Sequence, residues 1–289
     1  MPTKIEKDAV TGTDTTGHEW DGIKELDTPL PKWWVIVFYA TIAFAAVYSL
    51  LYPSWPWVNG YFHGLLGYST RSQIEGRLAE QAAQRAPMLN RIKETPLEQI
   101  ESNPDLLNFA LAGGRAAFAD NCSPCHGPGG AGSKGFPNLA DDDWLWGGSL
   151  ANIHQTITYG IRNANEKSRQ SDMPRFGADG ILKAPQIDDA AEFVLSLTGK
   201  SADPAAAARG AKVFADNCAA CHGEKGQGNI EMGAKRLDNG IWLYGGDKKS
   251  IVETITFARN SSMPDWSQRL DEGTFKMLAI FVHSLGGGK

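Results

Sequence analysis

The polarity of the chain changes sharply along its length. Residues 1–32 are mostly polar and read as a short solvated tail. From Trp33 to Tyr52, "WWVIVFYATIAFAAVYSLLY", twenty residues carry no charge. A helix rising about 1.5 Å per residue would carry them across about 30 Å, one bilayer core. Trp33 and Trp34 stand at one end, and Tyr52, Trp55 and Trp57 at the other, as interfacial aromatic belts do. A cleaved signal peptide would need a basic start and a small-residue cleavage site. This run instead follows an acid-rich tail and ends in "PSWPW". The pattern predicts a retained transmembrane anchor at 33–53. Lys32 abuts its N-terminal end and the next cation beyond it is Arg71, so residues 1–32 are expected in the cytoplasm and the remainder outside.

Beyond the anchor, residues 54–107 form a linker with amphipathic helices. Ile74, Leu78, Leu89 and Ile92 recur at helical spacing between Arg71 and Lys93. Pro87 is expected to kink or interrupt that helix, and Thr95-Pro96-Leu97-Glu98 reads as a capping box. Asn103-Pro104 and Asp203-Pro204 each pair an N-cap residue with proline at the first helical position. Each opens a helix running into "ADNC". From there the chain repeats itself. Gly114 and Phe118 match Gly210 and Phe214, Trp144 matches Trp242, Met173-Pro174 matches Met263-Pro264, and the closing apolar helices align Phe193 with Phe281. The period is 96 residues, from Cys122 to Cys218. That is too long for a solenoid repeat and suits two small domains, expected at 108–200 and 203–289.

Composition adds two exclusions. The chain is 42% hydrophobic and 21% charged, which is ordinary globular material, and its net charge of −5 makes nucleic acid an unsuitable partner. All four cysteines fall into two Cys-x-x-Cys-His motifs, Cys122-Ser-Pro-Cys125-His126 and Cys218-Ala-Ala-Cys221-His222. One shared zinc site would leave both histidines unexplained and require two domains to hold one ion. A thioredoxin-like site needs strands around it, and strand patterns are scarce here. Covalent haem attachment uses every residue of both motifs. Two thiols one helical turn apart become thioethers, and the adjacent imidazole is presented to the iron. Two covalently bound haem c groups are therefore expected, with His126 and His222 as proximal ligands. Such attachment occurs outside the cytoplasm, in agreement with the charge flanking the anchor.

A low-spin electron-transfer haem takes a sixth ligand, and His/Met is the pairing that raises its potential. Met173 is the one methionine after the first motif within its repeat. Met263 shares its Met-Pro context, whereas Met277 sits in an apolar helix and Met232 follows His222 too soon. Met173 and Met263 are the expected thioether ligands. Because the linker "TGKSADP" is short, spacing leaves open whether each serves its own haem or the other's. His18, His63, His154 and His283 read as surface or satisfied residues, and Asp141-Asp142-Asp143 as a solvated loop.

The Gly-x-x-x-Phe helix, Cys-x-x-Cys-His, Pro137-Asn138-Leu139, Met-Pro and aromatic closing helix together resemble class I cytochromes c. The resemblance implies that the first and last helices cross, with the glycine and the aromatic residues at the contact. It also implies a backbone carbonyl behind the proximal histidine. The second unit departs here, with Lys235 where the first has Pro137. A tail containing "DGIKELDTPLPKWWV", one anchor and two tandem cytochrome domains resembles the dihaem subunit III of cbb3-type cytochrome c oxidases over nearly the whole chain. The expected fold class is thus all-α: a single N-terminal transmembrane helix followed by two class I cytochrome c domains. The resemblance implies an electron-transfer subunit of the bacterial inner membrane, its haem domains on the periplasmic side. Its expected partners are a haem-copper catalytic subunit, a monohaem cytochrome c subunit, a cytochrome donor and membrane lipid. It implies no catalysis by this chain alone. A free-standing dihaem shuttle, or a subunit of a peroxidase or dehydrogenase, are the alternatives.

Overall fold

The computed structural model describes residues 4–286. Two compact units divide it, Met1–Ala82 and Ala83–Lys289. In the first, the tail is not simply solvated chain. Strands β1 (Thr15–Trp20) and β2 (Ile23–Leu26) form an antiparallel hairpin in which Trp20 pairs with Ile23 across Asp21-Gly22. Both turn residues have positive φ, +48° and +86°, which is what a two-residue hairpin turn requires and Asp-Gly supplies. Thr15 is buried, and its hydroxyl accepts a hydrogen bond from Glu6 N at 3.0 Å. Helix α1 (Lys32–Leu51) is the expected apolar run, with no buried residue along it and a mean hydropathy of 2.1. A two-residue ribbon, β3 (Pro56–Trp57) and β4 (Gly60–Tyr61), follows.

Helix α2 (Thr70–Glu94) runs through Pro87 rather than stopping there. Its last turns are held from outside: Ile92 is fully buried, and Lys276 Nζ donates to Lys93 O and Thr95 O at 2.7 and 2.9 Å. The capping box at Thr95 does not form. Thr95 N instead extends α2 by bonding Arg91 O at 3.0 Å, and α3 (Leu97–Ser102) begins at Pro96 without a side-chain cap. The other two caps appear as expected. Asn103 accepts from Asp105 N and Leu106 N to start α4 (Pro104–Asn121), and Asp203 accepts from Ala205 N and Ala206 N to start α8 (Pro204–Asn217). Each such cap is worth about 1 kcal/mol. The short helices α5 (Ser123–His126) and α9 (Ala219–His222) carry the motifs. Then come α6 (Leu150–Tyr159) and α7 (Ala184–Ser196) in the first repeat, and α10 (Lys248–Phe257) and α11 (Glu272–His283) in the second.

The glycine-aromatic crossings form, but each joins one repeat to the other. Helix α4 crosses α11: a Cβ on Gly114 would collide with Met277 O and the Phe281 side chain, and the Phe118 and Phe281 rings lie 5.3 Å apart. Helix α8 crosses α7: a Cβ on Gly210 would collide with Asp189 O, and Phe214 meets Phe193 at 4.9 Å. Such ring pairs add about 0.5–1.5 kcal/mol beyond burial. One core thus combines Phe118, Ile153 and Ile157 with Phe275, Leu278 and Phe281. The other combines Phe176, Ile187 and Val194 with Phe214, Ile251 and Ile255. A third cluster, including Ile92, Ile100, Leu106 and Met277, seats the linker helices on the first core.

Glu192 ties α7 to the following linker. It is 2% exposed, accepts from Ser201 Oγ at 2.7 Å, Ala202 N at 3.1 Å and Asp203 N at 3.3 Å, and pairs with Lys248 Nζ at 3.1 Å. The Ser201 hydrogen bond, with help from Lys248 and Asp203 N, outweighs burial and brings its carboxyl down to about 2. A depressed carboxyl pKa contributes stability above its ordinary value of 4.5, and that contribution is lost as pH falls towards about 2. Glu192→Gln is expected to cost roughly 1–3 kcal/mol at pH 7. The deficit should shrink below pH 4.5 in unfolding curves of the detergent-solubilised protein, and a pH-independent deficit would contradict the assignment.

Candidate haem sites

Each motif is built the same way. The N-terminal helix ends at the first cysteine, and the next turn carries the second cysteine and the histidine, with His126 N bonded to Cys122 O and His222 N to Cys218 O, both at 2.9 Å. Gly127 and Gly223 follow at φ +76° and +78°, a conformation that lets the chain turn back under the imidazole. His126 Nδ1 lies 3.1 Å from Pro137 O, and His222 Nδ1 lies 2.8 Å from Lys235 O. With Nδ1–H donating to a carbonyl, Nε2 is the free ligand atom. A carbonyl belongs to any residue, so Lys235 serves as well as proline. Burial lowers the pKa of both histidines below the ordinary value, which favours the neutral, metal-binding form.

The thiols do not resemble redox or zinc ligands. Burial, with the neighbouring cysteine, pushes Cys122 and Cys218 up to about 11, the reverse of an activated Cys-x-x-Cys. Among the described residues no three His, Cys, Asp or Glu side chains converge as a metal-binding group. Cys125 is exposed while the other three are half-buried.

The methionines follow the exchanged helices. Met173 packs on the core that holds Cys218 and Phe214. It also lines a cavity of about 200 Å³ together with Cys218, Cys221, His222 and Trp242. Met263 packs on the other core, with Cys122, Phe118 and Trp144. Met277 is buried core and Met232 is largely exposed. His154 pairs with Glu272 and His283 with Glu101, each at 3.2 Å.

Two buried donors test whether these sites suit haem. The indole Nε1 atoms of Trp144 and Trp242 are buried with no hydrogen-bond partner among the described residues. They occupy the same position of the repeat, and Trp242 lines the cavity beside His222. A buried N–H without a partner costs about 1–3 kcal/mol, so its presence twice points to an acceptor brought by a ligand, as a haem propionate is. The residues present fit the group.

The comparisons with known proteins agree along the chain. A model described as the N-terminal domain of cytochrome oxidase-cbb3, FixP, matches residues 12–59. One described as cytochrome c oxidase, cbb3-type, subunit III, matches residues 109–194 and again 205–282. The chain belongs to the subunit III family of cbb3-type cytochrome c oxidases. It is 53% identical to the cbb3-type cytochrome c oxidase subunit FixP of Azorhizobium caulinodans, over 98% of this chain and 96% of that one. It is 51% identical to the FixP subunit of Bradyrhizobium diazoefficiens and 48% to the CcoP subunit of Cereibacter sphaeroides, over the full length of both partners in each comparison. Membership of this family implies haem c binding and other oxidase subunits as partners.

The acidic run of this subunit III is not a simple solvated loop. Asp143 is almost fully buried, pairs with Lys235 and accepts from Asn239 Nδ2 at 3.2 Å. Asp142 alone of the three is exposed. Burial lowers Lys235 to about 8 and raises Asp141. The loop behind His126 is thereby braced against the loop behind His222. Asp143→Asn should destabilise the protein by roughly 1–3 kcal/mol, seen as a lower Tm with both haems still covalently attached. Retention of the wild-type Tm would show that the ion pair contributes nothing.

Proposed function

We propose that this chain carries two covalently bound haem c groups on a membrane tether and passes electrons from a cytochrome donor towards the haem-copper subunit that reduces dioxygen, through or beside a monohaem subunit, without catalysing a reaction alone. The observation that carries this is the doubled motif, in which a neutral histidine is fixed by a backbone carbonyl and a methionine of the opposite repeat packs on the same core. Each haem, when bound, supplies an iron that accepts and gives up one electron. Cys122, Cys125, Cys218 and Cys221 would hold the porphyrins covalently. His126 and His222 would bind the irons through Nε2.

The sixth ligands are assigned crosswise, Met263 to the haem of Cys122 and Met173 to the haem of Cys218. Shared packing supports this: Met263 belongs to the core of Cys122, and Met173 to the core and cavity of Cys218. A thioether in place of an open position favours electron transfer over ligand chemistry. Trp144 and Trp242 would each donate to a propionate. Helix α1, apolar and with no buried residue along it, would anchor the chain, with the haem-bearing part on the periplasmic side of the inner membrane. The flanking charges and the extracytoplasmic chemistry of thioether attachment support that orientation.

Three experiments test this reading. Replacing Cys122 and Cys125 by Ala, or Cys218 and Cys221 by Ala, should each halve covalent haem staining of the full-length protein, and both pairs together should abolish it. In the variant lacking Cys218 and Cys221, Met263→Ala should eliminate the charge-transfer band of the Met-ligated ferric haem while Met173→Ala leaves it. The opposite result would place ligation within each repeat. Separately, replacing residues 1–69 with a cleavable export signal should yield a protein that stays in solution without detergent. Partition into membranes with no partner subunit present would mean that α1 is not the sole anchor.

A further inference from the structure

The two chain segments that pass between the cores meet at one place. Ile161 and Met263 pair as an antiparallel bridge, with Met263 N to Ile161 O at 2.9 Å and Ile161 N to Met263 O at 3.1 Å. Around that bridge the methionines of each repeat are held by side chains of the other. Asn163 Nδ2 donates to Met263 O at 2.9 Å while also donating to Tyr159 O at 2.8 Å. Asn260 bonds Met173 on both sides, Nδ2 to Met173 O and Met173 N to Oδ1, both at 3.2 Å. Each asparagine follows an arginine, in "IRN" after α6 and "ARN" after α10.

Arg162 spans the two methionine segments. Its Nε donates to Ser261 O at 2.7 Å and its Nη1 to Ser171 O at 2.8 Å, each carbonyl lying two residues before a methionine. The planar guanidinium makes both bonds from one rigid fork, which an ammonium could not reproduce. Arg162 has φ +48°, a conformation costing of order 1 kcal/mol or more in a residue with a Cβ. The bonds to Ser261 O and Ser171 O and the neighbouring bridge hold it there, at the point where the two segments cross.

We propose that Arg162, Asn163 and Asn260 form one positioning clamp for both axial methionines, so that the two haem sites share a mechanical dependence on Arg162. This rests on the assignment of Met173 and Met263 as ligands, in either pairing with the irons. The iron–thioether bond would persist only while its loop is held in place. Among the described residues Arg162 is the one side chain that bonds both loops, beside the Ile161–Met263 bridge and the Asn260–Met173 bonds. Asn163 governs Met263, Asn260 governs Met173, and Arg162 governs both.

The test uses the full-length protein in its oxidase complex and reads the ferric Met–iron charge-transfer band and carbon monoxide binding by the ferrous c haems, beside Tm and covalent haem content. Asn163→Ala and Asn260→Ala should each lower the band by about half and open one haem to carbon monoxide. Arg162→Gln should weaken the band at both haems. Combined with Met173→Ala, Asn163→Ala should remove the remaining band, whereas Asn260→Ala should leave it. If all three clamp variants lower Tm but keep the full band and exclude carbon monoxide, the clamp is overturned and these residues only support the fold. If Met173→Ala and Met263→Ala themselves leave the band intact, it is the ligand assignment that fails. Should a variant fail to accumulate, the wild-type protein suffices: on heating, both bands should disappear together and before the helical circular dichroism. Loss of the two at separate temperatures overturns the shared dependence.

Discussion

Everything around the haem sites depends on two helix crossings close enough to exclude a side chain. At Gly114 the α4 backbone lies against Met277 O and Phe281, and at Gly210 the α8 backbone lies against Asp189 O. No residue with a Cβ fits either place without moving a backbone. Once those contacts are made, the cysteine-bearing end of each first helix is fixed relative to the helix that closes its core. The carbonyls of Pro137 and Lys235 then reach the two histidines, and each methionine arrives on the core where a cysteine pair already sits.

The exchange of closing helices joins the repeats through both cores, and further connections link their loops. Asp143 with Lys235 braces the loops behind the histidines, and Ile161 with Met263 joins the segments in front of them. Were a haem held at each site, such fixed loops would leave little to reorganise when its charge changes. A membrane tether, which α1 fits, would keep the carrier at the membrane surface, where effective concentration does the work that affinity would otherwise have to do.

Much of this was legible in the sequence because it depends on local chemistry. Cys-x-x-Cys-His, the Asn103 and Asp203 caps and the uncharged run from Trp33 state their roles within a few residues. The partner of each crossing was not legible, and for a physical reason. Repetition makes the Phe193 and Phe281 helices chemically interchangeable at the level of pattern, so nothing local says which one Phe118 meets. The hairpin at Thr15–Leu26 was missed although Asp21-Gly22 marks its turn, because its strands are short and polar. Pro87 and Thr95 misled in the opposite direction. Local rules predicted a kink or an interruption at Pro87 and a cap at Thr95; α2 is not interrupted and the cap does not form, the packing of Ile92 and the grip of Lys276 holding the end of α2. Lys235 showed that a supporting carbonyl is a property of backbone placement that no side-chain motif encodes.

The two crossings also differ in how far apart their partners lie along the chain. Phe193 and Phe214 are separated by about twenty residues, whereas Phe118 must find Phe281, some 160 residues on. Contacts of such separation form late and slowly. Cys122 and Cys125 are therefore made long before the helix that closes their core, which stays open until α11 has followed. In the core around Cys218 the crossing can form at once, since α7 precedes α8, and α10 completes it soon after. A polypeptide cut short before α11 would thus lack the helix that closes its first core while keeping the α7–α8 crossing of the second.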